Sequence, residues 1–163
     1  MNIKYFVRTT GERILDKSYN QIEYELLIDK EHKPVESFIK QLKIISEYDS
    51  VLLEDDLILC DNFKNVIEDI INKYPNMIIN FYSKHFKETT KTNIIYSNQC
   101  TYYPKHMSLN IANVMQKYLP YPNYDGLETK ALKELNIYII EYKPNIVIHK
   151  NGYSLITKRY RFN

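Results

Sequence analysis

Apolar positions along this chain alternate between short unbroken runs and longer stripes at helical spacing, the pattern of a layered α/β protein. Ile3 to Val7 is a short run that stops at Arg8-Thr9-Thr10-Gly11, which predicts a first strand entering a loop. A second strand is predicted over Ile22 to Ile28, ending at Asp29 and followed by the polar stretch Lys30 to Pro34. Val35, Phe38, Ile39, Leu42 and Ile45 then share one face of an amphipathic helix with Pro34 near its first turn. Val51-Leu52-Leu53 predicts a third strand, and the acidic triplet Glu54-Asp55-Asp56 follows it directly. Phe63, Val66, Ile67, Ile70, Ile71 and Tyr74 form the cleanest helical stripe in the chain, with Asp61 expected as its cap.

Met77-Ile78-Ile79 reads as a fourth strand that closes an alternating strand and helix series. The predicted class is therefore α/β, a compact three-layer α/β/α arrangement around a mostly parallel sheet, with a Rossmann-like first half. Ser83 to Lys91 is polar and basic and predicts a mobile loop, after which Ile94 to Tyr96 and Cys100 to Tyr103 are expected to pair as strands. A helix is predicted from Pro104 to Leu119, a loop over Pro120 to Tyr124, and a last helix from Leu127 to Leu135. Ile137 to Ile140 follows, and Ile146-Val147-Ile148 reads as the final strand, ending on His149. With 163 residues and no repeat or linker, one domain over residues 1–163 is expected.

Composition narrows the function classes. The chain is 44% hydrophobic and 26% charged with a net charge of +2, ordinary for a globular protein and too mild for a nucleic-acid footprint. Lys158-Arg159-Tyr160-Arg161 is the one basic cluster; it could meet phosphates, an anionic membrane or modified DNA, or simply be a solvated tail. Cys60 and Cys100 are far apart and lack zinc or disulfide spacing, so a reducing compartment, the cytoplasm of a bacterium or a host cell, is expected. No apolar run approaches the length of a membrane span. The wealth of Lys, Asn, Ile and Tyr points to A/T-rich codons, as in a low-GC bacterium or a virus.

Chemistry concentrates at three places. Ligands of open α/β sheets sit beyond the carboxyl ends of strands, which is where Glu54-Asp55-Asp56 falls. Clustered carboxylates need a cation or a proton, and hard oxygen ligands suit Mg²⁺ or Mn²⁺; a solvated turn is the alternative. His149, at the end of an apolar strand, is either a structural residue or a ligand. Asp125, in Tyr124-Asp125-Gly126-Leu127-Glu128 at the mouth of the last helix, is either a cap or a general base. Asp49, His32, His85 and His106 are given no role.

Val51-Leu52-Leu53-Glu54-Asp55-Asp56-Leu57-Ile58 followed by Asn62-Phe63 resembles the acidic segment of GT-A glycosyltransferases, notably the family 25 type and related short phage proteins. Pro144-Asn145-Ile146-Val147-Ile148-His149-Lys150-Asn151-Gly152-Tyr153-Ser154 is similar to the ending of many such enzymes. The resemblance implies that Asp56 and His149 hold the metal, that Glu54 and Asp55 lie against the ribose or donor sugar, and that Arg8, Thr9, Arg13 and Asp29 line the nucleotide. Asp125 would take the proton from the acceptor hydroxyl. The implied activity is metal-dependent transfer of a sugar from a nucleotide diphosphate sugar, UDP-linked by preference, to a hydroxyl on a glycan, a protein or modified DNA. The region that binds acceptors in full-size relatives is compressed in this chain, so an inactive nucleotide- or sugar-binding module is the main rival. A metal-dependent nuclease or nucleotidyltransferase is a weaker one.

Overall fold

The computed structural model describes residues 2–150, together with the backbone of Gly152–Tyr153 and Tyr160–Arg161, which pair antiparallel. Seven strands form one sheet: β1 (Ile3–Thr9), β2 (Tyr24–Ile28), β3 (Asp49–Glu54), β5 (Ile78–Asn80), β6 (Thr90–Thr92), β7 (Cys100–Tyr103) and β8 (Ile139–Glu141), in the order β2-β1-β3-β7-β5-β8-β6. Two more strands, β4 (Leu57–Leu59) and β9 (Val147–His149), pair with each other as a separate ribbon. The helices are α1 (Pro34–Ile45), α2 (Phe63–Lys73), α3 (Met107–Gln116) and α4 (Tyr124–Glu134).

Strand periodicity sorts the core into two layers. In β1, Tyr5 and Val7 face one cluster and Phe6 the other; in β3, Val51 and Leu53 face one and Leu52 the other. The Phe6 side packs on Phe38 and Leu42 of α1, Ile111 and Met115 of α3, and Leu127 and Leu132 of α4. The Tyr5 side packs on Phe63, Ile67 and Ile71 of α2 and on the β4/β9 ribbon. Each such side chain, fully buried, contributes roughly 1.5–3 kcal/mol. Helices thus cover both faces, as the hydrophobic pattern implied.

The sheet is mixed, however, and not mostly parallel. β1 is parallel to β2 and β3, and β5 to β8, whereas β7 runs antiparallel between β3 and β5, and β6 antiparallel to β8. Residues 94–96 form no strand: the Ile95 N–H donates to Thr129 Oγ1 at 3.0 Å, and the Thr129 hydroxyl donates back to the Ile95 carbonyl at 3.0 Å. Helix α4 therefore takes the place of a strand partner for that backbone.

Two expected caps also differ. Helix α2 is preceded by Asn62 in the left-handed region without a side-chain cap, and Gln21 Oε1 accepts the Phe63 N–H at 3.2 Å; Asp61 is not the cap. Helix α4 begins at Tyr124 because Asn123 Oδ1 accepts the Gly126 N–H at 2.7 Å, so Asn123 caps it and Asp125 lies in its first turn. Residues 17–21, expected to precede a longer second strand, form a 3-10 turn capped by Asp16. Cys60 and Cys100 are free thiols. Among the described residues no helix is long and apolar enough to cross a membrane. Ser154, Lys158 and Arg159 lie outside the described residues, as do the side chains of Tyr160 and Arg161.

Candidate metal centre

Parallel register builds the site from its first two strands. Arg8 of β1 sits opposite Glu54 of β3, and both follow the parity of Phe6 and Leu52, which points them toward α4. Arg8 Nη2 donates to Glu54 Oε1 at 2.9 Å, to the Asn98 carbonyl, and to the Tyr124 hydroxyl at 3.3 Å. The Tyr124 hydroxyl also donates to Glu54 Oε1, at 2.8 Å. The guanidinium lies over the rings of Phe38 and Tyr124, 5.0 and 4.6 Å from their centroids. Glu54 is thus held by one oxygen, and its second oxygen, Oε2, is the one nearer His149, 4.0 Å from Nε2.

Beyond the strand end, the acidic turn is gripped by residues that follow β1. The Thr9 hydroxyl donates to Asp55 Oδ2. Arg13 Nη1 bridges Asp55 Oδ1 at 2.8 Å and Asp56 Oδ2 at 2.7 Å. Asp29 stands beside Thr9 at the same sheet edge, its N–H donating to the Thr9 carbonyl at 2.8 Å. β1 and the loop after it therefore bring Arg8, Thr9 and Arg13 to the acidic triplet, with the Arg8 and Arg13 side chains engaging protein carboxylates, while Asp29 reaches the backbone of Thr9.

The third element is the β4/β9 ribbon. Leu57 pairs with His149, and the Lys150 N–H donates to the Asp56 carbonyl at 2.7 Å, which ties the end of β9 to the acidic turn. Because side chains alternate along a strand, a slip of one residue would turn His149 outward to where Ile148 stands, 59% exposed. In the observed register His149 Nε2 lies 3.3 Å from Asp56 Oδ1. Glu54, Asp56 and His149 are all buried, and one ligand atom from each lies within 4.8 Å of the others.

Whether these residues suit a cation is decided by two atoms. His149 Nδ1 is 2.9 Å from the Lys150 carbonyl, which can only accept, so Nδ1 carries a proton and Nε2 is the nitrogen directed at the carboxylates. Asp56 Oδ1 is buried with no hydrogen bond, although Arg13 satisfies its other oxygen. The 3.3 Å separation is an ion-pair distance without hydrogen-bond geometry, and it is close to the roughly 3.0 Å between adjacent ligands of an octahedral ion with ~2.1 Å bonds. Burial, and next the Glu54 charge, push the Asp56 carboxyl up, while His149 and Arg13 pull it down. A cation held between these groups would offset that crowding of charge. Two carboxylates and an imidazole are a fitting donor set for Mn²⁺, and for Mg²⁺ with the carboxylates dominant.

Asp125, half-buried, accepts the Asn98 N–H through Oδ1 at 3.1 Å. Its chain neighbour Tyr124 holds Glu54, so the first turn of α4 reaches the triad. Sequence reasoning missed Tyr124 as a partner of Glu54, Asn98 as the carbonyl that holds Arg8, and Tyr19, whose hydroxyl donates to the Glu54 carbonyl. It also missed a cleft of about 310 Å³ beside the triad, lined by His149, Tyr82, Lys84, His85, Tyr96, Ser97 and Gln99. Nothing in the local pattern marks these residues; the loop path that joins them does.

No protein family description matches the chain, and no curated protein does. Among solved structures, the chain is similar to A197 from STIV, with 13% sequence identity and a TM-score of 0.53 over 98% of this chain and 93% of that one. The likeness is one of fold. It shows a mixed α/β fold with a partly parallel sheet flanked by helices, and it names no activity and no family.

Proposed function

We propose that this chain, as one domain, is a GT-A-like binding module that holds the diphosphate of a nucleotide sugar through a divalent cation at Glu54, Asp56 and His149. The observation that carries this reading is that Asp56 Oδ1, buried and without a hydrogen bond, faces His149 Nε2 at 3.3 Å with Glu54 close by. When bound, the cation supplies positive charge to the phosphates. The chain's own part is to fix the donor atoms: Arg8 and Tyr124 anchor Glu54, Arg13 anchors Asp56, and the Lys150 carbonyl sets the imidazole tautomer. The cleft that shares His149 gives a ligand access to the centre. Asp125 is absent from its lining, which favours binding without transfer. The test is a thermal-shift and calorimetric screen of UDP-, GDP- and dTDP-sugars with and without Mn²⁺. A ligand at a hundred times its Kd stabilises by about 2.7 kcal/mol, and that gain should require the cation. Equal binding in EDTA would sink the reading.

Sugar transfer is the second reading, and the placement of Asp125 beside Asn98 and Tyr124 at the edge of the site is what favours it. The carboxylate would accept the proton of an acceptor hydroxyl. Asp125→Asn should then cut turnover by about 10²-fold with donor affinity unchanged. Full turnover in that variant would remove Asp125 as the base. A two-metal nuclease has less support, because among the described residues only Glu54, Asp56 and His149 cluster as metal-binding groups.

A further inference from the structure

The cleft beside the triad has a chemistry that a cation site does not explain. Gln99 is 8% exposed, and its Oε1 has no hydrogen-bond donor among the described residues. Its backbone is fixed, since its carbonyl accepts the Glu54 N–H at 2.8 Å, so the side chain is presented to the cleft from the same strand edge that carries the triad. An amide oxygen left unpaired under burial is costly, and a ligand hydroxyl would relieve that cost.

The rest of the lining says what else the ligand carries. Tyr96 presents a broad ring braced by His85 and Phe86, whose ring centroids lie 4.3 and 5.8 Å away, and Tyr82 packs beside His149 at 6.3 Å. Aromatic rings and a polar acceptor lining one cleft suit a hydroxylated ring. No carboxylate lines the cleft, whereas Lys84 does, projecting from the basic segment 83–91. The cleft therefore has a cationic side chain of its own.

We propose that this cleft seats a hydroxylated sugar ring bearing a second anionic group, with a ring hydroxyl donating to Gln99 Oε1 and the anion, a carboxylate or a phosphate, meeting Lys84. The inference rests on the triad holding the phosphate at the other end of the same ligand. Lys84 then selects among sugars, while Gln99 and the tyrosines seat the ring.

The experiment is calorimetric titration in Mn²⁺ with glucose 1-phosphate, glucuronic acid 1-phosphate and glucose 1,6-bisphosphate, and with UDP as the probe of the triad alone. One doubly anionic ring should bind about tenfold tighter than glucose 1-phosphate, and which one it is names the anion. Lys84→Met, an exposed change, should erase that preference and leave glucose 1-phosphate binding as it was. Gln99→Met should weaken all three rings about tenfold while raising the Tm of the ligand-free protein, since it removes the unpaired oxygen. If UDP binds with Mn²⁺ but the three rings bind alike and neither variant matters, the cleft proposal fails and the triad reading stands. If neither UDP nor any ring shows Mn²⁺-dependent binding, both fail.

Discussion

Two buried acidic clusters lie on either side of residue 98, and they are finished differently. Glu128, in α4, is wholly buried, yet both its oxygens are satisfied: the Tyr103 hydroxyl donates to one at 2.7 Å and the Asn98 amide to the other at 2.5 Å. Glu54 and Asp56 each have one oxygen secured and the other turned toward His149, and Asp56 Oδ1 has no hydrogen bond. A fold that can complete a carboxylate within the protein leaves one incomplete where a ligand is to finish it. The Glu128 cluster is thus complete within the protein, whereas the triad has the groups to take a cation.

Asp56→Asn should give the largest effect on this contrast, lowering Mn²⁺ affinity about a thousandfold by calorimetry while leaving the cation-free Tm unchanged or higher, because a crowded charge is removed. Glu128→Ala should do the reverse. It removes the acceptor of the Tyr103 O–H and of an Asn98 N–H, leaving the Asn98 to Tyr103 bond over a cavity, and should cost about 3 kcal/mol in denaturant melts. A Glu128→Ala protein that melts like the parent would show that the two clusters do not differ in kind.

A smaller effect is expected at His149. Imidazole favours Mn²⁺ over Mg²⁺, so His149→Ala should reduce the ratio of the two affinities about tenfold, with Mg²⁺ binding less affected. An unchanged ratio would place the imidazole outside the coordination.

The smallest prediction concerns pH. Burial pushes Glu141 up to about 8 and Glu128 up to about 7, from ordinary values near 4.5. Between those values the folded protein keeps protons that the unfolded chain has lost, so stability falls as pH rises from about 4.5 to about 8 and levels beyond. Glu141 accepts the Asn80 amide through both oxygens, at 3.1 and 3.0 Å, and Glu141→Gln keeps the shape but not the titration. In EDTA, that variant should show a shallower decline of Tm between pH 5 and pH 8. An identical slope would move the titration elsewhere.

Much of the scaffold was legible in sequence because its signal is local. The stripes of α1 and α2 and the runs of β1 and β3 follow from spacing alone, and the position of Glu54-Asp55-Asp56 beyond a buried strand marked the site. What pairs across the sheet was not legible. β7 reads as an apolar run in either direction, and only its insertion between β3 and β5 makes it antiparallel. β4 is too short to announce itself, yet its register with β9 is what delivers His149. Asn98 and Gln99 reach Arg8 and Glu54 through main-chain carbonyls, which carry no residue-type signature.

Anomalous diffraction at the manganese edge from Mn²⁺-soaked crystals would locate a cation held between Asp56 Oδ1 and His149 Nε2. One strong peak is expected about 2.0–2.2 Å from Asp56 Oδ1 and His149 Nε2, with Glu54 Oε2 as a third ligand. A map with no peak there at millimolar Mn²⁺, and His149 Nε2 hydrogen-bonded to Asp56 in its place, would contradict it.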